Sequence, residues 1–416
     1  MSVIVTIAGL LLIGTVLTDV FESVILPRRV HRRLRLSRPF VQGVWRGWIR
    51  IARALEGRSR PNSGFRVTFL GSFGPLALVL LFATWTLMLI VGFAGLHWGL
   101  DTLGGGAQDG ARFGQDIYYS GTTFFTLGLG DFSPVATVGR VLTVAEAGTG
   151  FGFLALVVTY FPVFYQAFSM REANITLLDA RAGSPPSAAE LLRRLDVAAR
   201  PAEFEAFLAE WERWTAQVLE NTLSYPILAY YRSQHERQSW VAALTTILDT
   251  CALTLTGIAG VPRHQARFTF AMARHAAVDL TQAIAVEPRP LPSDRLPAAD
   301  LSRLRASLAA GGLQLRDDEE AVRTLTGFRG LYEPHVNALA DFLGETLPHW
   351  PPPPQMVDVW LEREADPSDR AATEDQPLAS RFQRDVRFPT PAASGSADRW
   401  TGYEADATDQ VTGPEG

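Results

Sequence analysis

The sequence predicts an all-α membrane protein: a set of spanning helices followed by a helical cytosolic domain. Three observations predict it. Two long stretches, 67–100 and 141–170, are nearly free of charge, apolar residues in the second half of the chain recur at helical spacing, and strand signals are scarce. A mean hydropathy of +0.07 over 416 residues sits between a soluble enzyme and a polytopic transporter, as a mixture of the two would.

The first element, 1–26, carries an apolar run over 2–18 that continues into Asp19 and Glu22. It is readable as a span or as an interfacial helix. A cleaved signal is disfavoured because the positive charges follow the apolar run instead of preceding it. The segment 27–66 holds twelve arginines against the single acid Glu56, which places it in the cytoplasm by the positive-inside rule. Its densest part, Arg28 to Arg38, is also suited to anionic lipid headgroups, each arginine near the surface contributing about 1 kcal/mol. All 38 basic residues are arginine, a bias that reads as genomic rather than functional.

From 67 to 100 no charge appears apart from the weakly ionising His97, and Trp85 and Trp98 stand where interfacial aromatics anchor a span. From 141 to 170 the only charge is Glu146. With 27–66 inside, the first of these spans runs outward, 101–136 is external and the second span returns. The protein is then a multi-pass cell-membrane protein with its C-terminal region in the cytoplasm. That region, 171–350, suggests helices around 188–198, 202–231, 262–285, 298–310 and 317–347. Within 240–260, Trp240, Leu244, Ile247, Leu248 and Cys251 follow one helix face and Thr245, Asp249 and Thr250 the other. As a fourth span it would bury Asp249 in lipid, so an amphipathic cytosolic helix is the better reading. After Trp350 come four prolines and a tail, 351–416, with thirteen acids and six arginines, too polar to form a core and expected to be disordered.

The external segment is too short for a domain, yet it holds a specific run: Tyr118-Tyr119-Ser120-Gly121-Thr122-Thr123-Phe124-Phe125-Thr126-Leu127-Gly128-Leu129-Gly130-Asp131-Phe132-Ser133-Pro134. Residues from about 112 to 125 suffice for about three helical turns, enough to enter a membrane and not to cross it. Gly128 and Gly130 can adopt backbone angles closed to other residues.

This run resembles the pore loop of the potassium channel superfamily, and the resemblance covers roughly 67–168. It implies a two-helix-plus-pore-loop channel module, with the N-terminal helix as an addition. It implies a filter at Thr126, Leu127, Gly128, Leu129, Gly130 and Asp131, whose backbone carbonyls replace the hydration shell of a permeating K⁺ or Na⁺. One loop per chain implies a homotetramer. Three positions depart from the commonest family pattern: Phe125 stands where threonine is frequent, Leu129 where an aromatic is, and Thr122 where some relatives have a carboxylate. They leave strict K⁺ selectivity open while cation conduction stays implied.

Three inner-span features bear on gating. Glu146 either lines the cavity as a ring of charge or bonds to the pore helix behind the filter; its early place in the span favours the second. Gly150, between Gly148 and Gly152, aligns with the flexible glycine of many inner helices, although glycine equally permits close packing. Pro162 offers a second kink.

Other classes find little support. The single Cys251 excludes an intrachain disulfide framework and a cysteine-rich metal site. No strand precedes a Gly-x-Gly-x-x-Gly, so a nucleotide-binding regulatory domain is not expected, and His235–Glu236 reads as a surface pair rather than a metal site. No cofactor, catalytic group or nucleic-acid partner is called for. The competing reading from another class is a membrane-anchored scaffold or signalling module with a degenerate pore.

Overall fold

The computed structural model describes residues 2–25, 36–56, 65–103, 109–233, 238–290 and 294–351, all within one compact unit, Met1–Asp358. The arginines at 28–35, 58 and 60, the His235–Glu236 pair and the tail from 352 lie outside the described residues. The fold is all-α; among the described residues the one extended pairing is an isolated antiparallel bridge, Ile258 with Leu315.

Helix α1, Ser2–Val20, is prolonged by a π-helical turn, Phe21–Ile25. It runs antiparallel along α4, Phe73–Gly99. Ser2 lies beside Gly99 and Ile13 beside Gly92, while a Cβ on Gly9 would sit 2.7 Å from the Gly92 carbonyl. Small residues at the contact let the two backbones approach, as packing between membrane helices requires. At the far end Trp85 donates to Asp19 at 2.9 Å. α1 follows α4 from Gly99 to Trp85, and both are long and apolar enough to cross a membrane.

The segment between the first two spans holds a helix that its charge pattern had not announced. α2, Ser37–Glu56, buries Val41, Trp45, Ile49 and Ala52 and exposes Arg46, Arg50 and Arg53. Buried Asp19 starts it, accepting from the Leu36 and Ser37 amides. Trp45 meets Phe73 and Tyr230 edge-on, at 4.7 and 5.6 Å, and donates to the Phe342 carbonyl at 2.9 Å. Trp48 stacks on Phe69 at 4.3 Å. The expected span at 67–100 is interrupted near its start, α3 (Phe65–Gly71) giving way to α4 at Ser72, whose hydroxyl donates to the Phe69 carbonyl.

Helix α5, Asp109–Phe124, lies where a short helix over about 112–125 is expected. Helix α6, Thr137–Ala182, is 46 residues long and passes the expected 170/171 boundary without a break. Beyond it come α7 (Ala188–Arg194), α8 (Pro201–Ser224), a 3₁₀ turn (Pro226–Tyr230), α9 (Trp240–Gly257), α10 (His264–Ala283), α11 (Ala298–Ala310) and α12 (Glu319–Leu343). Six of these helices lie where helical spacing suggested them.

The two-faced reading of α9 needs correction. Both faces are buried, and α9 is the central rod of the domain, with α7, α10 and α12 against it. Thr245, Thr246, Thr250 and Thr254 donate to the carbonyl one turn back, so these hydroxyls need no water. Asp249 pairs with Arg295 at 2.7 Å and accepts from Tyr332. Long and apolar enough to cross a membrane, α9 is surrounded by protein instead. Phe73 and Gly74, at the start of α4, touch Tyr230 and Tyr231 of this domain, so it sits at the end of α4 opposite the 101–136 segment.

Candidate functional site

The run after α5 has a backbone of alternating hand. Thr126, Gly128 and Gly130 have φ of +57°, +57° and +79°, while Leu127 and Leu129 between them stay at negative φ. In an ordinary strand successive carbonyls point to opposite sides; alternating the sign of φ turns every second peptide plane over, so the carbonyls come to one side. Glycine accepts positive φ without penalty. Thr126 does not, since a β-branched residue there is strained, and it is held by what surrounds it. Its amide donates to the Thr123 carbonyl at 2.9 Å, and the Leu127 amide to Thr122 at 2.8 Å. The end of α5 thus grips the first two residues of the run.

The remaining expected filter residues lie in the same extended segment. Leu127 and Leu129 are each 62% exposed, and Gly128 and Gly130 have open space where a Cβ would be. Asp131, at the end, accepts from the Phe132 amide at 3.1 Å. Of the departures from the family pattern, Phe125 packs edge-on to Phe124 and is exposed, and the Thr122 hydroxyl turns back to the Tyr119 carbonyl instead of toward the run.

Behind α5 lies a buried polar network that joins three helices. Glu146 of α6 is fully buried; one carboxylate oxygen accepts from Ser120 of α5 and the other is 3.2 Å from His97 Nε2 of α4. His97 Nδ1 is 2.6 Å from the Thr102 hydroxyl, and the Thr102 carbonyl accepts from the Val135 amide just beyond the run. Ser120 also donates to the Ile90 carbonyl, and Tyr119 bonds Thr143 at 2.7 Å. Of the two arrangements expected for Glu146, the structure has the bond to α5, through Ser120. Sequence reasoning passed over His97, Ser120 and Thr102. The signal was there, in a histidine with no other charge near it in a span, but 49 positions separate it from its partner.

Gly150 lies where α6 crosses the end of α5: a Cβ there would stand 2.0 Å from the Phe124 carbonyl. Of the two uses glycine offers at this point, close approach is the one visible. Gly148 and Gly152 have nothing within reach of a Cβ. Helix α6 continues through Pro162, which is exposed. Its buried stripe, Gly139, Glu146, Gly150, Phe153, Tyr160 and Phe164, faces its own chain, while Val141, Val144, Phe151, Leu154 and Val158 leave an apolar surface uncovered.

No cluster of histidine, cysteine and acidic side chains fit to hold a metal occurs among the described residues. Comparison with known families matches residues 76–167 to the family described as ion channel, a segment running from the outer helix through α5 and the alternating run into α6. Neither the curated proteins nor the solved structures gave a match. The matched segment contains the whole alternating run and its three-helix support, and over it the chain is similar to the ion channel family.

Proposed function

We propose that the protein is a homotetrameric, potassium-type cation channel whose filter is Thr126 to Asp131. The observation that carries this is the alternation of backbone hand at Thr126, Gly128 and Gly130, the condition under which a file of carbonyls can face one axis and replace a hydration shell. The exposed leucines of the run and the uncovered apolar surface of α6 fit neighbouring subunits and lipid. One chain supplies one such run, and four make a closed ring. K⁺ is the expected ion, with Na⁺ permeation measurable, because the Thr122 side chain does not tie the run to α5.

In this reading Glu146, with Ser120 and His97, holds the pore helix behind the filter, and Gly150 seats the inner helix on it. Bending at the open glycines beside Gly150, and at Pro162, widens the inner mouth. Arg171 of α6 couples that helix to the helical domain, donating to the Leu228 and Tyr231 carbonyls at 2.9 and 2.6 Å. The arginine-rich side, with the helical domain, faces the cytoplasm, and anionic headgroups are the expected neighbours of Arg28 to Arg38.

The test is reconstitution into bilayers with reversal potentials recorded in K⁺/Na⁺ gradients. A reversal close to the K⁺ potential is expected for the native chain, and loss of current for Gly128→Asp. Absence of current from the native chain across voltage, pH and lipid composition would leave the scaffold reading in its place.

A further inference from the structure

Where the membrane helices meet the helical domain, the structure holds a cavity of about 110 Å³ that plays no part in the filter or its support. Its lining has two chemistries. Leu81 and Phe82 of α4 and Tyr160 of α6 form an apolar floor, while Ser37, Arg38 and Gln42 at the start of α2 form a polar rim. α4 and α6 are both long and apolar enough to cross a bilayer, so the floor belongs to the lipid depth and the rim to its edge.

Two charges line the cavity. Glu22 is buried and already engaged within the chain, while Arg38 is exposed and is the cationic side chain of the lining. Arg38 spends a single nitrogen, Nη2, on the Gln282 and Ala283 carbonyls at 3.0 and 2.8 Å. Its Nε and Nη1 have no protein partner among the described residues. A guanidinium held through Nη2 keeps its charge and its Nη1 and Nε donors, each able to give a carboxylate one charge-assisted hydrogen bond. The volume restricts the tail that such a head can carry. A dry apolar cavity of about 150 Å³ takes one benzene, so a somewhat smaller one admits a single alkyl chain and not two.

We propose that this cavity binds a long-chain carboxylate, a free fatty acid, drawn from the leaflet on the side of the helical domain. The head lies on Arg38 and the first methylenes lie on Leu81, Phe82 and Tyr160. Because the floor includes Tyr160 of the inner helix and the lining extends to Tyr230 and Ile284 of the helical domain, occupancy bridges the two parts that gating moves. That consequence rests on the conduction reading; the binding does not.

The experiment is a calorimetric titration of oleate, and separately of methyl oleate, into the purified full chain in non-ionic detergent. Saturable binding at one site per chain is expected. Methyl oleate should bind about tenfold more weakly, the loss of one charge-assisted hydrogen bond. Arg38→Gln should weaken oleate by about the same factor, and Leu81→Trp, which fills the floor, should abolish binding. Equal affinity for oleate and methyl oleate would overturn the proposal. So would equal affinity for a two-chain phosphatidylglycerol, or uptake that never saturates and is unchanged in a folded Leu81→Trp. The pair of ligands on the native chain decides the matter even if a variant fails to fold. A channel that proves silent in bilayers would leave this result standing.

Discussion

Thr126 is the residue at which sequence and structure say most different things. As a letter in the sequence it is the first of six filter positions and the glycines carry the conformational argument; in the fold it shares their positive φ without their freedom. Thr126→Gly should therefore relieve local strain of about 1–3 kcal/mol while loosening the filter. The expected pair of results is unchanged or higher thermal stability with poorer K⁺/Na⁺ discrimination in reversal potentials. Gly150→Ala should do the opposite kind of damage. Its methyl meets the backbone carbonyl of Phe124, which cannot step aside as a flexible side chain would, and overpacking of this sort costs about 1–3 kcal/mol or more. Gly148→Ala and Gly152→Ala, with open space around them, are the controls expected to leave the melting temperature unaltered. Glu146→Gln presents an amide donor where the network has an acceptor for Ser120 or a partner for His97. Single-channel records should show shortened openings or faster inactivation, and identical conductance and inactivation would remove Glu146 from the filter's support.

At the scale of elements, the unexpected piece is α2. Its pattern is present in the sequence, with Val41, Trp45, Ile49 and Ala52 at helical spacing, interleaved with the arginines of a segment dominated by charge. Trp45→Ala removes a fully buried ring and the donor to the Phe342 carbonyl together, and truncations of this kind cost about 3–5 kcal/mol. A fall in melting temperature with the helical domain separating from the membrane part, read by limited proteolysis, is the expected signature. The far side of the same junction should answer to pH. Burial pushes the Glu345 carboxyl up from its ordinary value, against the pull of Arg232 at 3.8 Å and of the Ser239 hydroxyl. A raised carboxyl favours the neutral form in the folded state. Its contribution is complete below the unfolded value and is lost as pH rises through the folded one. Glu345→Gln should accordingly raise the melting temperature at about pH 8 and change it little at about pH 4.

For the whole molecule, the exposed apolar surfaces pose one question with a quantitative answer. If four chains form one pore, equimolar co-expression of native and Gly128→Asp subunits leaves about one sixteenth of assemblies wholly native, and current should fall to about that fraction. A fall to about one quarter would indicate a dimer instead.

Read alone, the sequence determined the class of the protein, the two uncharged spans, the re-entrant helix and the run after it, and most helices of the C-terminal domain. These are local properties: apolar length, periodicity and glycine spacing are all written within a few turns of chain. Only the tertiary structure decided that α1 runs along α4, because Gly9 and Gly92 are 83 positions apart and meet only when folded. It alone brought His97, Ser120 and Glu146 together, since a hydrogen-bonded network across three helices leaves no periodic trace. It also turned α9 from a presumed two-faced helix into a central rod, because threonine hydroxyls satisfied within the helix read as polar in sequence and behave as core once paired.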